Sequence, residues 1–289
     1  DPAPMTRKKL LVLFPDEWDR SMAARGEGGH DIRFEGFDLF RFPDNARLFT
    51  FDVARFVDRL ARRHAGTGLD GILTSDEQFG PIVASLLGER LGLPHTPLRA
   101  VLTAQHKFYA REAFQAALPE CNPRFGLIGR DFRRTREMPL PFPFYVKPVK
   151  AAYSVLARRI DSFEALDRHA RFSWFEQAII ERLVKPFGDT MRGQAGFDVE
   201  PFSLLAEEIV DGAQVTVNGY VRQGEVTLLG VVDSVMFPGT DHFQRFQYPS
   251  QLPAEWQAGA ETEARRALPA VAITHAMNIV ELRHSAATG

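Results

Sequence analysis

The stretch that most restricts the fold is the segment 144–160, FYVKPVKAAYSVLARRI. Its first three residues favour a β-strand, and Pro148 ends ladder pairing directly after Lys147. Small residues follow, and a second apolar run completes a strand–turn–strand pattern. Small side chains let backbone N–H groups approach an anion, and a lysine beside them can act as a point charge on phosphate. The stretch therefore predicts either an anion-binding turn or a plain hairpin with a surface lysine.

Composition excludes several broad classes of protein. The chain has 289 residues and a formal net charge of −2, which gives no overall electrostatic footprint for nucleic acid or an anionic membrane. The single cysteine, Cys121, excludes an intramolecular disulfide and suits a reducing compartment. No apolar run is as long as a membrane span, and no secretory signal is recognisable. We therefore expect a cytoplasmic protein with no nucleic-acid or membrane partner, and a homodimer stays an open alternative.

The N-terminal part of the sequence alternates strands with helices. A continuous apolar run at 8–14 is typical of a buried parallel strand. Two more strands and an amphipathic helix are predicted at 30–39, 71–74 and 51–64. Ser75, three residues before Gln78, predicts the capping box of a second helix. This alternation predicts a doubly wound α/β domain, and because it contains no G-x-G-x-x-G, no dinucleotide is predicted there.

The rest of the chain mixes helices with strands of antiparallel character. A helix over 103–118 carries Lys107 and Arg111 one turn apart. Asp161 predicts the start of a long helix whose apolar stripe is Phe172, Phe175, Ile179 and Leu183. The other predicted elements are strands at 124–128, 204–210, 213–220, 226–237 and 278–283, a loop at 185–203 and a helix over 254–276.

In this order the pieces resemble the ATP-grasp superfamily, and within it the carboxylate–amine ligases that build dipeptide-like products. The resemblance extends from about residue 72 to residue 283. It rests on the helix lysine Lys107, the strand lysine in YVKP, the small-residue turn and the segment AEEIVDG at 206–212. An antiparallel pair with Asn218-Gly219 and an acidic strand with Glu281 complete the set.

The resemblance implies an α/β and α+β protein with the ATP-grasp fold. A Rossmann-like, doubly wound domain at 5–98 would precede two ATP-grasp subdomains at 99–210 and 211–289. With ATP and Mg²⁺, such a ligase phosphorylates a small-molecule carboxylate to an acyl phosphate, which a small-molecule amine attacks with release of ADP and phosphate. The alternative from another class is a non-catalytic ATP-binding module, or pseudoenzyme, of the same fold.

The resemblance also assigns residues to the nucleotide. Lys107 and Lys147 would contact the phosphates, and the turn at 150–154, which includes Ser154, would cover them as a lid. The hinge between the subdomains would consist of Glu207, Glu208, Ile209 and Val210. In this hinge the Glu208 carbonyl and the Val210 N–H would contact the adenine edge.

Four further residues receive roles from the resemblance. Gln214 would approach the ribose hydroxyls, where the family usually has an acid, and Glu281 would bind metal. His242 and Arg245, in an unusually aromatic segment, would hold a substrate carboxylate or the acyl phosphate. A packed loop with polar residues at its rim explains His242 and Arg245 equally well.

The residues themselves add two arguments about this site. Successive side chains on a strand alternate, so Glu207 and Glu208 cannot both face solvent, and the inward one needs a polar partner or a ligand. Lys107, in contrast, is preceded by His106 where the family usually has an aspartate. An ordinary solvated helix lysine therefore stays an alternative for Lys107.

The C-terminal part of the sequence departs from the family pattern. A second metal-binding strand, with a glutamate and an asparagine, is expected after Glu281 and does not occur before Gly289. No glycine, proline or aspartate separates the predicted helix ending at Ala276 from the strand beginning at Asn278. We therefore predict a longer natural polypeptide, with further residues at the 277–278 join and after Gly289.

Overall fold

The structure, a computed structural model, describes residues 7–26, 29–129, 131–150, 156–171, 173–240 and 242–285. The chain divides into two compact units. The first unit is drawn from Asp1–Leu102, Lys150–Val155 and His169–Phe202, and the second from Thr103–Val149, Leu156–Arg168 and Ser203–Gly289. The domain boundaries expected after residues 98 and 210 stay predictions.

A three-stranded parallel sheet of order β2-β1-β3 forms the centre of the first unit. Its strands are β1 (Lys9–Leu13), β2 (Asp31–Glu35) and β3 (Gly71–Thr74), and they are followed in turn by the helices α1 (Glu17–Ala24), α2 (Val53–His64) and α3 (Gly80–Leu91). Leu11 and Leu13 on the central strand are fully buried. The alternation of strands and helices that the sequence predicts in this part of the chain is confirmed.

The start of α3 differs from the prediction. The helix begins at Gly80, and the Asp76 carboxylate accepts hydrogen bonds from the N–H groups of Phe79 at 2.6 Å and Gly80 at 2.9 Å. The Ser75 hydroxyl instead donates to Asp19 at 2.5 Å. A carboxylate is a stronger acceptor than a hydroxyl, so the capping box predicted from Ser75 is wrong.

The single long helix predicted after Asp161 is also wrong, because the structure has two helices, α7 (Phe163–His169) and α8 (Trp174–Met191). A capping box between Ser173 and Glu176 starts α8 independently. Ile179 is exposed, and the predicted stripe is replaced by the buried side chains of Val184, Phe187 and Met191; Phe172 and the Phe175 side chain lie outside the described residues. Because α8 continues through Pro186 to Met191, the predicted loop at 185–203 begins only after it.

The second unit contains a four-stranded antiparallel sheet of order β4-β7-β5-β6. Its strands are β4 (Phe125–Ile128), β5 (Phe144–Pro148), β6 (Arg158–Ile160) and β7 (Leu204–Glu207). The helices α4 (Leu98–Gln105), which belongs to the first unit up to Leu102, and α5 (Lys107–Ala117) replace the single helix predicted over 103–118. The short α6 (Phe132–Thr135) follows β4. The break falls at the fully buried His106, whose ring lies 4.5 Å from that of Tyr109.

A further four-stranded antiparallel sheet, of order β10-β9-β8-β11, completes this unit. Its strands are β8 (Ala213–Arg222), β9 (Glu225–Met236), β10 (Phe243–Gln247) and β11 (His275–His284), and α9 (Ala254–Ala270) packs on one face. Val215, Val217 and Val231 form the core beneath α9. The antiparallel pair predicted around the Gln223-Gly224 turn is confirmed.

The join at residues 277–278 lies inside β11. The helix α9 ends at Ala270, and the chain reverses over 271–274, where Ala272 has φ +55°. Met277 pairs with Tyr220 and Asn278 with Gly219 in continuous register. The helix therefore ends earlier than its sequence suggests and does not run directly into the strand, as the prediction assumed. The further residues expected at this join stay a prediction. Within the described ranges, no helix is long and apolar enough to cross a membrane.

Candidate functional site

A buried carboxylate with two cationic partners lies in the β4-β7-β5-β6 sheet. Glu207 ends β7, the strand between β4 and β5, and Lys147 on β5 is its diagonal neighbour on the same face. Lys147 Nζ lies 2.6 Å from Glu207 Oε2, and Arg111 Nε of α5 lies 2.8 Å from Glu207 Oε1. The Glu207 side chain is 8% exposed, whereas that of Lys147 is 21% exposed. We call Arg111, Lys147 and Glu207 the Glu207 cluster.

The charges of the Glu207 cluster decide its protonation. Burial by itself would raise the pKa of Glu207, but the charges and hydrogen bonds of Arg111 and Lys147 outweigh burial and hold this pKa below its usual range. Burial lowers the pKa of Lys147, and the Glu207 and Glu281 carboxylates oppose that change. Two cations contact one carboxylate in this cluster, and Glu281 places a second negative charge within electrostatic reach of Lys147.

Arg111 is the residue that sequence reasoning missed. The Asn122 side chain accepts from Arg111 Nη1 at 3.1 Å and donates to the Arg111 carbonyl oxygen at 3.2 Å. The only signal in the sequence was the one-turn spacing between Lys107 and Arg111 on a helix. That spacing does not reveal the distant carboxylate that Arg111 contacts.

Glu208 points away from this cluster. Its carboxylate accepts from Arg124 Nη2 at 2.9 Å and from Arg124 Nε at 3.1 Å, and the side chain is 39% exposed. The Arg124 pair lowers the pKa of Glu208. The predicted alternation, with one glutamate inward and the other outward, is confirmed, and Glu207 is the inward one.

The backbone after β7 leaves the sheet ladder at the predicted hinge. The Glu208 N–H donates to the Arg124 carbonyl at 2.8 Å, and the Val210 carbonyl accepts from Arg283 Nη1 at 3.4 Å. Within the part of the chain that the structure describes, the Glu208 carbonyl and the Val210 N–H have no hydrogen-bond partner. The hinge therefore offers one acceptor and one donor, two residues apart, to a ligand with a matching edge.

Two predicted residues lie on the face of the second sheet that is opposite α9. Val280 and Leu282 pack on the α9 side, so Glu281 between them points to the other face, as does Gln214 on β8. Glu281 pairs across the strands with Thr216, and Gln214 pairs with Arg283. Because the Glu281 charge acts on the pKa of Lys147, the two side chains lie within electrostatic reach of each other.

The described residues contain no group of three or more His, Cys, Asp or Glu side chains arranged to hold a metal ion. Among these residues Glu281 is therefore not part of such a group. Mg²⁺ in phosphate-transfer sites is commonly held by one or two carboxylates together with substrate phosphates, so one carboxylate is compatible with it.

The other predicted residues occupy different places. The Lys107 N–H donates to the Val149 carbonyl at 2.8 Å, which ties the start of α5 to the end of β5. Ile209 lines a groove of about 420 Å³ beside the hinge. Ser154 lies outside the described residues, as does most of the predicted lid.

His242 lies just before the edge strand β10 and Arg245 lies on it, and both residues are exposed. Arg245 Nη2 donates to Gln247 Oε1 at 3.1 Å, and the His242 N–H donates to Thr240 Oγ1 at 3.2 Å. Among the described contacts, neither residue touches the Glu207 cluster. Their assignment to a substrate stays a prediction.

Comparison with known proteins finds solved structures only, since no family model and no curated protein matches the chain. An L-amino acid ligase from Bacillus licheniformis superposes with a TM-score of 0.71 and 20% identity, over 98% of this chain and 64% of that one. The VanG D-Ala:D-Ser ligase from Enterococcus faecalis gives a TM-score of 0.64 and 13% identity, over 98% and 88% of the two chains. A carboxyaminoimidazole ribonucleotide synthase from Aspergillus clavatus, complexed with ATP, gives 0.65 and 15%, over 98% and 68%. The chain thus spans less than two thirds of the length of the L-amino acid ligase.

Proposed function

Because the chain has the ATP-grasp fold, we propose that it is an ATP-dependent ligase that joins a carboxylate to an amine. The observation that carries this proposal is the Glu207 cluster at the end of β7, directly before a hinge with an available backbone acceptor and donor. The site supports a bound nucleotide, and the ligase names of the superposing structures suggest the type of reaction.

The hinge fits an adenine ring. The amino group and a ring nitrogen of adenine form a donor–acceptor edge that complements the Glu208 carbonyl and the Val210 N–H. The Lys147 ammonium, on a side chain that is 21% exposed, would then bind a phosphate of the same nucleotide as a point charge. Lys107, at the first turn of α5, and Ser154 are the further phosphate contacts that we propose, and Gln214 is the ribose contact.

Glu281 would hold Mg²⁺ on the opposite sheet, where the ion would neutralise charge on the transferred phosphoryl group. In the proposed reaction a carboxylate oxygen of the substrate attacks the terminal phosphorus of ATP, and the bond from that phosphorus to ADP breaks. The amine then attacks the acyl carbon, phosphate leaves, and the nitrogen loses a proton. His242 or Arg245 would hold the substrate carboxylate. Phosphoryl transfer depends mostly on positioning and charge neutralisation. The proposed contacts of Lys107, Lys147 and Mg²⁺ with the phosphates would provide both.

The experiment is a screen for ADP release by the full-length protein with ATP and Mg²⁺ across pairs of amino acids. We expect release that requires both a carboxylate and an amine, and that is lost in the Glu281→Gln variant. Calorimetric ATP binding is measured in parallel. ATP binding without amine-dependent ADP release in any pair would favour the alternative, a non-catalytic ATP-binding module, and absence of ATP binding would refute both.

A further inference from the structure

The two cations on Glu207 are held in different ways. Arg111 is fixed on both sides, because its guanidinium contacts Glu207 and Asn122 while its backbone carbonyl also accepts from Asn122. Asn122 is itself held by Gln115 Oε1 at 3.0 Å. Lys147 has one carboxylate partner on a flexible four-carbon stem, and its side chain is 21% exposed. Lys147 is therefore the cation that can move, and Arg111 is the one that stays.

If Lys147 turns towards a phosphate, Glu207 loses one of its two counter-ions. A carboxylate with 8% exposure cannot stay ionised in an apolar environment without a partner. Arg111 at 2.8 Å would supply that partner. The planar guanidinium stays protonated at every accessible pH, so the compensation does not depend on solution conditions.

We propose that Arg111, anchored by Asn122, is a positioning residue that keeps Glu207 charged while Lys147 transfers to a nucleotide phosphate. This inference rests on the proposed function, because it assigns the phosphate to Lys147. Arg111 itself touches Glu207 and Asn122, so its effect on the nucleotide passes through Lys147. In energetic terms Arg111 lowers the cost of separating Lys147 from its buried carboxylate.

Proton uptake by Glu207 on ATP binding would reveal the loss of Arg111. The charged groups that face Glu207 are Arg111 from α5 and Lys147 from β5, and Glu281 on β11 acts on Lys147 from the other sheet. When Arg111 is replaced by methionine, only Lys147 remains to keep Glu207 ionised. ATP binding would then remove the last counter-ion, and Glu207 should take up a proton from solution.

The first measurement needs no nucleotide. The side-chain carboxyl of Glu207 is followed by ¹³C NMR as a function of pH in wild type, Arg111→Met and Arg111→Lys. We expect the midpoint to rise in Arg111→Met and to stay near the wild-type value in Arg111→Lys, which keeps the charge. Arg266→Met is the matched control, since Arg266 pairs with Glu120 and Glu263 in the same unit. An unchanged Glu207 midpoint in Arg111→Met overturns the inference, whatever the protein does with ATP.

The second measurement is calorimetric ATP binding at about pH 6 in two buffers of different ionisation enthalpy. We expect Arg111→Met to bind ATP roughly ten- to a hundredfold more weakly, with uptake of up to about one more proton than wild type. Arg111→Lys should recover most of the affinity without the extra proton. Equal proton uptake in wild type and Arg111→Met would refute the positioning role, whereas failure of the wild type to bind ATP would refute the proposed function instead.

Should Arg111→Met not fold, Asn122→Ala replaces it in the calorimetric comparison. Arg111 then keeps its charge but loses its anchor, and we expect roughly two- to tenfold weaker ATP binding with partial proton uptake. Wild-type affinity together with wild-type proton uptake in Asn122→Ala would overturn the inference.

Discussion

Replacing Lys147 by methionine separates the structural role of this lysine from its proposed role with ATP. Breaking a buried ion pair costs about 3–5 kcal/mol when the remaining charge has no other partner. Here Arg111 remains 2.8 Å from Glu207, and burial already lowers the pKa of Lys147, so the pair is less favourable than an ideal one. We therefore expect the free energy of unfolding to fall by about 1–2 kcal/mol, measured by urea denaturation.

The same substitution should weaken ATP binding more strongly than its effect on stability suggests. A charge-assisted hydrogen bond to phosphate contributes about 1.5–3 kcal/mol, which corresponds to roughly 10- to 150-fold in the dissociation constant. Calorimetry on the folded variant measures this quantity directly. Lys185→Met is the matched control, because Lys185 forms an exposed pair with Asp189 and its loss should change stability by less than about 0.5 kcal/mol.

Two results would contradict this reasoning. If Lys147→Met is less stable but binds ATP as tightly as wild type, the ion pair with Glu207 stabilises the fold and Lys147 does not contact a phosphate. Wild-type stability with weakened ATP binding would show that the contact with Glu207 contributes nothing to folding. Equal effects in Lys147→Met and Lys185→Met would refute both roles.

Three more outcomes can be checked on the same protein. The pKa of Glu207 in the folded protein lies below the usual glutamate value of about 4.3, because Arg111 and Lys147 hold its charge. Its contribution to stability should therefore be present above that pH and be lost as the pH falls through the folded pKa. Acid titration of Glu207→Gln should show a flatter stability profile than wild type, and parallel profiles would contradict this. ATP should bind at least about tenfold more tightly than GTP, whose six-position carbonyl cannot donate to the Glu208 carbonyl, and equal calorimetric affinities would remove adenine from this hinge. Asp76→Ala should lower the free energy of unfolding by about 1 kcal/mol and Ser75→Ala by less than about 0.5 kcal/mol, and the reverse order in urea denaturation would restore the predicted cap.

The elements that could be predicted from the sequence are those set by local pattern. The apolar run at 8–14 became β1 because both faces of a central parallel strand are covered. The alternation rule identified Glu207 and Glu208 as an inward and an outward pair without knowledge of their partners. The ATP-grasp fold was expected from a resemblance to that superfamily in the order of such elements along the chain.

The errors arise where two local signals compete or where the partner is distant. Asp76 and Ser75 are both good N-cap residues, and only the position of Phe79 and Gly80 decides between them. Pro186 usually ends a helix, yet packing of the buried Phe187 and Met191 keeps α8 continuous through it. Arg111 was not predicted because its helix pattern is ordinary and the carboxylate that it contacts, that of Glu207, lies 96 positions further along the chain.

The strand order β4-β7-β5-β6 also determines when the site can exist during synthesis. The β5–β6 hairpin can pair early, but β4 and β5 share no ladder until β7 has been made between them. Until then Lys147 and Arg111 have no buried carboxylate, since Glu207 is the last residue of β7. Long-range strand pairing of this kind is slow, and domains emerge from the ribosome N-terminus first. A nascent chain that stops before residue 207 thus lacks the complete sheet and also the Glu207 carboxylate that pairs with Lys147 and Arg111. The sheet and the ion pairs of the Glu207 cluster therefore form together.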